Sequence, residues 1–410
     1  MKNYSKIIDY CQFSKKKDLI KVLSLGYLPA VNEVSNTKKR NNFSFFFPTD
    51  LCYSKSSNLF QINNIVDQKI LFPKSYPYTS STTKLLVDNF SNLSKEVNRM
   101  FKIKSEDIIV DIGSNDGNLL KRFKNMRVLG VTPENIGKKA IREGIPTILD
   151  YFNFKTSKKI LNNYGKAKII TATNVFAHID NITDLMNNIK RILTKDGIFI
   201  TESHYFLTLM KTLQYDTIYH EHLRYYTLTS LKNIFKKFGF VVFFAKKIPT
   251  HGGSIRVYAT QNKNFKISNT IKKILDEERR LITPLNLKKF SKSIIKSKVS
   301  LLALLNKIKN KDNTICGIGA PSRASTLASY VGLNSDLINF IGEIDGSNKI
   351  GNFLPGTNIP IIREKEVLKK KPNYLLLFSW HISKELIGKI KKKGFKGKFI
   401  IPLPTPKIIS

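Results

Sequence analysis

The chain has 410 residues, with 69 Lys and Arg against 30 Asp and Glu, for a formal charge of +39. At about 100–200 residues per domain this length implies two or three domains, and 41% hydrophobic with 24% charged residues excludes a disordered or fibrous chain. No apolar run reaches the roughly 18 residues of a membrane span, and the first twenty residues carry Lys, Asp and Asn throughout where a secretory leader would be apolar. Three scattered cysteines (Cys11, Cys52, Cys316) make neither a disulfide framework nor a metal pattern. The expectation is a soluble cytoplasmic protein without membrane contact, monomeric or a small homo-oligomer. Nucleic-acid binding needs clustered Lys and Arg with a reading element. Here short runs at 15–17, 138–139, 369–371 and 391–393 are spread along the chain. That distribution reads as a solvated, lysine-biased surface and argues against a nucleic-acid partner, while its field would favour an anionic substrate.

In chain order, residues 1–65 read as short strands and loops around Pro29 and Pro48, a small irregular domain. A helical pattern covers about 84–104. Strand and helix signals then alternate: a strand at 107–113, a helix from about 117, a strand at 127–132, a helix near 134–143, a strand at 168–174, a helix near 182–193 and a strand at 197–203. Short apolar runs separated by amphipathic segments predict parallel βαβ units. Another helix and two strands fill 210–260, and 262–312 is charged and helical, a candidate connector. A second βαβ series follows at 314–319, 337–345, 374–380 and 398–404. The expected organisation is an N-terminal domain over 1–75, a central domain over 76–260, a helical connector over 261–312 and a C-terminal Rossmann-like domain over 313–410.

Asp111, Gly113, Ser114, Asn115 and Gly117 close a buried strand and open the next segment. Glycines there let the backbone turn sharply and let a ligand approach, at the strand ends where open α/β sheets bind ligands. The pattern resembles motif I of methyltransferases that use S-adenosylmethionine (SAM). Asp150, Asn174 and Val175 sit at later strand ends and extend the same series, though Asp and Asn also form ordinary turns. The densest chemical stretch is 215–226, YDTIYHEHLRYY. Histidine titrates near neutrality and suits a base, and Tyr219 and Glu221 can orient a substrate. A zinc site is the competing sharp reading, but His220-Glu221-His222 lacks the HExxH spacing. A polar loop of packed aromatics is the plain one. Near the C-terminus, Gly319-Ala320-Pro321-Ser322-Arg323 follows a strand and precedes a helix, which fits pyrophosphate binding, and Asp345 ends the next strand as a ribose-binding acid would. In isolation this half also reads as an NAD site.

Nine segments, in order over essentially the whole chain, resemble the sugar C-methyltransferases, three-domain enzymes that use SAM to methylate C3 of a nucleotide-linked 4-keto deoxysugar. They are YPYTSST (76–82), DIGSNDGNLL (111–120), 130–152, NVFAH (174–178), YDTIYHEHLRYYTL (215–228), HGGSIRV (251–257), GIGAPSRASTL (317–327), FLPGTNIPI (353–361) and FIIPLPTP (399–406). The resemblance implies an α/β fold whose central SAM-methyltransferase Rossmann-like domain lies between a small zinc-binding-type domain and a C-terminal Rossmann-like domain. It implies SAM as cofactor, a nucleotide-activated 4-keto deoxysugar as partner, and His222 as the base that removes the C3 proton. Tyr219, Glu221, Tyr78 and His178 fall where the family lines the sugar pocket, and His251, Gly319, Ala320, Pro321, Ser322, Arg323 and Asp345 where it meets substrate.

Two departures matter. The family's N-terminal domain holds zinc through two Cys-x-x-Cys pairs, but here Cys11 is followed by Ser14, and Ser54 and Ser57 stand in the second pair. Hydroxyls are poor zinc ligands, so no structural zinc is expected. The family's GxEP acid, a ribose ligand, is replaced in Gly130-Val131-Thr132-Pro133, with Glu134 two positions beyond Thr132 able to substitute. If SAM binding were lost, the alternatives would be a methylation-deficient sugar-nucleotide epimerase or binding protein, or a basic nucleic-acid-binding protein on a methyltransferase scaffold.

Overall fold

The computed structural model describes residues 4–33, 35–36, 45–72 and 83–410. Its frame is a seven-stranded sheet built from β1 (Ile108–Ile112), β2 (Arg127–Val131), β3 (Thr147–Ile148), β4 (Ala167–Thr173), β5 (Leu193–His204), β6 (Val241–Ile248) and β7 (Ser254–Thr260), in the order β6-β7-β5-β4-β1-β2-β3. All five residues of β1 are buried, as expected of a parallel strand covered on both faces. Only β7 runs against its neighbours, its register fixed from Ile198 opposite Thr260 to His204 opposite Ser254. Strand order reverses between β1 and β4, so the carboxyl ends of these strands open the crevice where such sheets bind ligands.

The helix expected from about 117 is reduced to one 3-10 turn at Leu120–Arg122. Asn115 (φ +51°) and Gly117 (φ +72°) put two left-handed residues in the turn, and Leu119, Leu120 and Phe123 are then drawn into the core beside Phe90 and Leu93 of α1 (Lys84–Met100). Residues 261–312 hold two docked helices, α2 (Asn269–Leu281) and α3 (Pro284–Lys309). Pro284 opens α3 in the position a helix tolerates proline, behind the Thr283 cap. Buried Glu278 of α2 accepts from the amides of Leu228 (2.5 Å) and Thr229 (2.9 Å) and from the Tyr205 hydroxyl (2.9 Å). That carboxylate caps the helix Leu228–Lys237 at its positive end. The segment is therefore a strut.

The C-terminal sheet comprises β8 (Ile315–Ile318), β9 (Ile341–Glu343), β10 (Ile361–Arg363), β11 (Tyr374–Leu377), β12 (Lys398–Ile401) and β13 (Lys407–Ile409), ordered β10-β9-β8-β11-β12-β13, with helix α4 (Ser322–Val331) after β8. The N-terminal sheet pairs Leu19–Pro29, Phe46–Ser54 and Leu59–Ile62, and its fourth strand is Arg224–Tyr225 from the middle of the chain. Leu51, Phe60 and Ile62 of that sheet share one apolar cluster with Tyr215, Ile218 and Tyr225 and with Leu327 and Ala328 of α4. The YHEH segment is thereby gripped between three units. Among the described residues no helix is long and apolar enough to cross a membrane.

The four positions of the family's zinc site do converge, but as hydrogen-bonding groups. Cys11 Sγ lies 3.1 Å from Ser57 Oγ, Ser57 donates to Ser54 Oγ (2.9 Å), Ser54 donates to Asp18 (2.9 Å), and the Ser14 amide donates to Cys11 Sγ (3.4 Å). One thiol and three hydroxyls do not fit a structural zinc, which takes thiolates or imidazoles. The network clasps the same two loops without it. A chelator such as EDTA should therefore leave the unfolding temperature unchanged, whereas a fall on chelation would show a metal in the fold.

A buried ionic cluster docks α1 onto the sheet. Arg256 of β7 donates to Glu202 of β5 (2.5 Å), to Glu96 (2.6 Å) and to Asn89 (2.8 Å) of α1, and the Tyr258 hydroxyl also reaches Glu96 (2.7 Å). Removing one partner of a buried pair strands the other charge, at a cost of about 3–5 kcal/mol. Arg256→Ala should lower the unfolding free energy by that amount in urea titrations, and Lys247→Ala, which breaks a partly exposed pair with Glu277 and a 5.8 Å contact with the Tyr205 ring, by less than about 1 kcal/mol.

Candidate active site

A cavity of about 880 Å³ lies over the carboxyl ends of β1, β2, β4 and β5 and extends to the first loop of the C-terminal sheet. Its floor is the β1 turn. Gly113 has φ +74°, and a Cβ there would stand 2.3 Å from Val175 Cγ2, so glycine is required. Asp111 is fully buried and accepts from Thr171 Oγ1 (2.6 Å), and burial pushes its carboxyl up to about 7. Ser114 Oγ and Asn174 Oδ1 are buried without a partner, an arrangement that suits a polar ligand lying over this turn. Thr132, Pro133 and Glu134 line the same wall, and Asn115 Nδ2 donates to Glu134 Oε2 (3.1 Å). Two expectations are corrected here. Gly117 faces Ile145 and Ala140 behind the turn, and Asp150 accepts from the Tyr151 amide, leaving Tyr151 and Phe152 to form the wall.

The opposite wall is the 215–226 segment. His222 Nδ1 lies 2.8 Å from the Thr217 carbonyl oxygen. A carbonyl only accepts, so Nδ1 carries the proton and Nε2 bears the free lone pair. Tyr225 Oη also donates to Thr217 O (3.1 Å) and accepts from the Tyr219 amide (3.2 Å), bracing the loop. The Tyr219 ring packs 4.2 Å from the His222 ring, and burial, with Glu221 nearby, holds its hydroxyl protonated well above the usual tyrosine range. His178 Nδ1 donates to the Glu221 carbonyl (2.7 Å). His204 lies 4.7 Å from His222 and 5.5 Å from His251 by ring centre. Burial first, then the neighbouring imidazoles, pulls His222 and His204 well below 6.5, and burial brings His178 and His251 down to about 4. His220 does not join them: its Nε2 lies 3.2 Å from Pro48 O and 3.0 Å from Thr49 Oγ1, a structural role. Among the described residues no group of His, Cys, Asp or Glu is arranged to hold a metal ion.

The C-terminal unit supplies Gly319, Pro321, Ser322 and Arg323 to the lining. Arg323 is held by Asp216 (3.5 Å), by Gln214 Oε1 (3.0 Å) and over the Trp380 ring (5.4 Å), with its Nη1 buried and unpartnered. Ala320 turns its amide to Glu343 Oε2 (2.6 Å) and its carbonyl to Lys349 Nζ (2.8 Å). Asp345 is corrected: it is exposed outside the cavity, within 3.7 Å of Arg363 and 3.6 Å of Lys365, and Glu343 takes the inward position. Tyr78 lies outside the described residues. Sequence reading missed Asn32, whose Nδ2 donates to Glu221 Oε1 (2.7 Å) and whose Oδ1 accepts from Ser322 (3.1 Å), joining all three units. No local signal marks it. His204 and Glu343 were findable as polar residues at strand carboxyl ends.

Comparison with known proteins decides the family. Residues 87–243 match the methyltransferase domain family and residues 249–404 the C-methyltransferase C-terminal domain family. C-methyltransferase NovU of Streptomyces niveus is 28% identical over 419 aligned residues, covering 100% of this chain and 99% of that one. The chain thus carries a methyltransferase domain followed by a C-methyltransferase C-terminal domain. Solved structures overlap the methyltransferase in part. A SAM-dependent methyltransferase from Clostridium acetobutylicum is 13% identical over 44% of this chain and 93% of its own, with TM-score 0.33. A possible histamine N-methyltransferase from Thermotoga maritima is 17% identical over 43% and 92%, with TM-score 0.33.

SAM fits the residues at the β1 turn: a glycine cradle, unpartnered Ser114 and Asn174 oxygens, and carboxylates at Asp111 and Glu134. Gly113→Ala in this methyltransferase should fold yet lose at least about 100-fold in SAM affinity by calorimetric titration, since the added carbon displaces Val175 from the cradle; unchanged affinity would place the cofactor elsewhere.

Proposed function

We propose that this methyltransferase removes the C3 proton of a nucleotide-linked 4-keto deoxysugar and methylates the resulting enolate carbon. The observation that carries the reading is the unprotonated Nε2 of buried His222 sharing one cavity with the glycine turn. A ketone acidifies the adjacent C–H because the electron pair left behind delocalises onto oxygen. His222 Nε2 takes the proton, and the neutral Tyr219 hydroxyl is placed to donate to the developing oxyanion. Glu221, held by Asn32, orients a sugar hydroxyl, and His178 completes the pocket, with Tyr78 assigned there by resemblance. SAM, when bound, supplies an electrophilic methyl group. Asp111, Ser114, Asn115 and Asn174 hold it, and Glu134 provides the acid absent at Thr132. Arg323, through its free Nη1, and Lys349, Lys389 and Lys393, which line the far end of the cavity, suit the diphosphate of the sugar nucleotide.

His222→Asn should keep SAM binding and lower kcat by about 100- to 10,000-fold, the usual share of a positioned base. Loss of SAM binding together with activity would instead mark His222 as a structural residue. A base whose folded pKa is depressed stays neutral down to that pKa. Measured at saturating SAM, so that ionisation of Asp111 near 7 does not enter through cofactor affinity, the rate should be level between pH 6.5 and 8 and fall only below 6.5. An acid limb centred at or above pH 7 would contradict the assignment.

A further inference from the structure

Methylation of a C–H by a sulfonium donor releases one proton per turnover, because the C–H bond breaks, a C–C bond forms and the thioether leaves neutral. Resting on the base assignment above, that proton sits on His222 Nε2 when the methyl group has moved. His222 is 5% exposed, and its Nδ1 is tied to the Thr217 carbonyl. The proton cannot pass through the ring to a second exit. It must leave from the nitrogen that received it, into a cavity then filled by two ligands.

The neighbouring rings offer the route. His204, the last residue of β5, is set by its register opposite Ser254, beside the 250–252 turn. Its ring stands between His222 (4.7 Å) and His251 (5.5 Å), and among the described residues no protein hydrogen bond engages its nitrogens. His251 adopts φ +55°, a left-handed conformation that costs a non-glycine residue energy and collects at functional sites. Its turn is pinned by Gln214, which donates to the Gly252 carbonyl (2.7 Å) and accepts from Arg323. His251 Nε2 is buried and has no partner. A strained residue with an unpartnered buried nitrogen, beside a second uncommitted imidazole, has no packing explanation. The other groups facing this file are His178, Arg323 and His381. The cation among them raises the cost of a charge resting on any one ring, which favours onward transfer.

We propose that His204 and His251 relay the abstracted proton from His222 to solvent. The His222 Nε2–H bond breaks as one His204 nitrogen accepts, the opposite His204 N–H passes its proton to His251 Nε2, and His251 gives up its Nδ1 proton to water in the cavity. No electrons are exchanged, and each ring ends neutral.

The test separates the chemical step from proton release. In His204→Gln, with SAM titration verifying an intact site, the single-turnover rate with enzyme in excess should stay within about twofold of wild type. Steady-state kcat should fall about 100-fold, the lower range for a lost proton-transfer group, and recover with rising concentrations of free imidazole, to which the wild-type rate is indifferent. Equal losses in both regimes without imidazole rescue, or no loss in either, would overturn the relay. Wild-type enzyme that fails to exchange the substrate C3 hydrogen with solvent deuterium would overturn the base assignment itself; exchange in wild type with an unaltered His204→Gln steady state would overturn the relay alone.

Discussion

The hydrogen bond from His222 Nδ1 to the Thr217 carbonyl is the constraint on which the site depends. It decides the tautomer, and so which nitrogen can act, with no acidic side chain required behind the ring. A backbone carbonyl fixes the ring as a carboxylate would, yet adds no charge that would raise the basicity of an imidazole needed neutral. Burial does the rest by disfavouring the imidazolium. The carbonyl is itself fixed by the Tyr225 hydroxyl, and Tyr225 is a strand residue of the N-terminal sheet, opposite Phe60. The position of His222 thus rests on a β-pairing with residues 163 and 165 positions earlier in the chain.

The N-terminal unit thus has a part in the site although Cys11, Ser14, Ser54 and Ser57 do not suit a metal. Its sheet grips the 215–226 loop through Arg224 and Tyr225, and Asn32 ties Glu221 to Ser322 of the C-terminal unit. The serine, thiol and Asp18 network replaces one multivalent ion by several modest hydrogen bonds. It suffices because the sheet is not an isolated mini-domain: its leucines share a core with α3 and α4.

Much of the frame was legible in the sequence. The central strands announce themselves as continuous apolar runs, and β1, β2 and β4 fall within a residue of where periodicity puts them, because strands buried on both faces have few alternatives. The tight turn after β1 was legible through Gly113, where a positive φ and the approach of Val175 leave no room for a side chain. What failed shares one cause. The helix after Gly117 was read from local periodicity, and tertiary packing of Leu119 and Phe123 overrode it. Asp345 was read as the end of the apolar run 337–345, but β9 stops at Glu343, which lines the cavity. Asn32 contacts a residue 189 positions away, beyond the reach of any local pattern.

The account's central claim is that a carbon adjacent to a ketone is deprotonated and then captures the methyl group. The most direct measurement uses SAM carrying a 13C-labelled methyl with a panel of nucleotide-linked 4-keto deoxysugars, followed by 13C NMR of the product. The account predicts a labelled methyl bonded to the carbon beside the carbonyl, with the hydrogen formerly on that carbon gone. A labelled methyl on a sugar oxygen or nitrogen, with that hydrogen still in place, would contradict it.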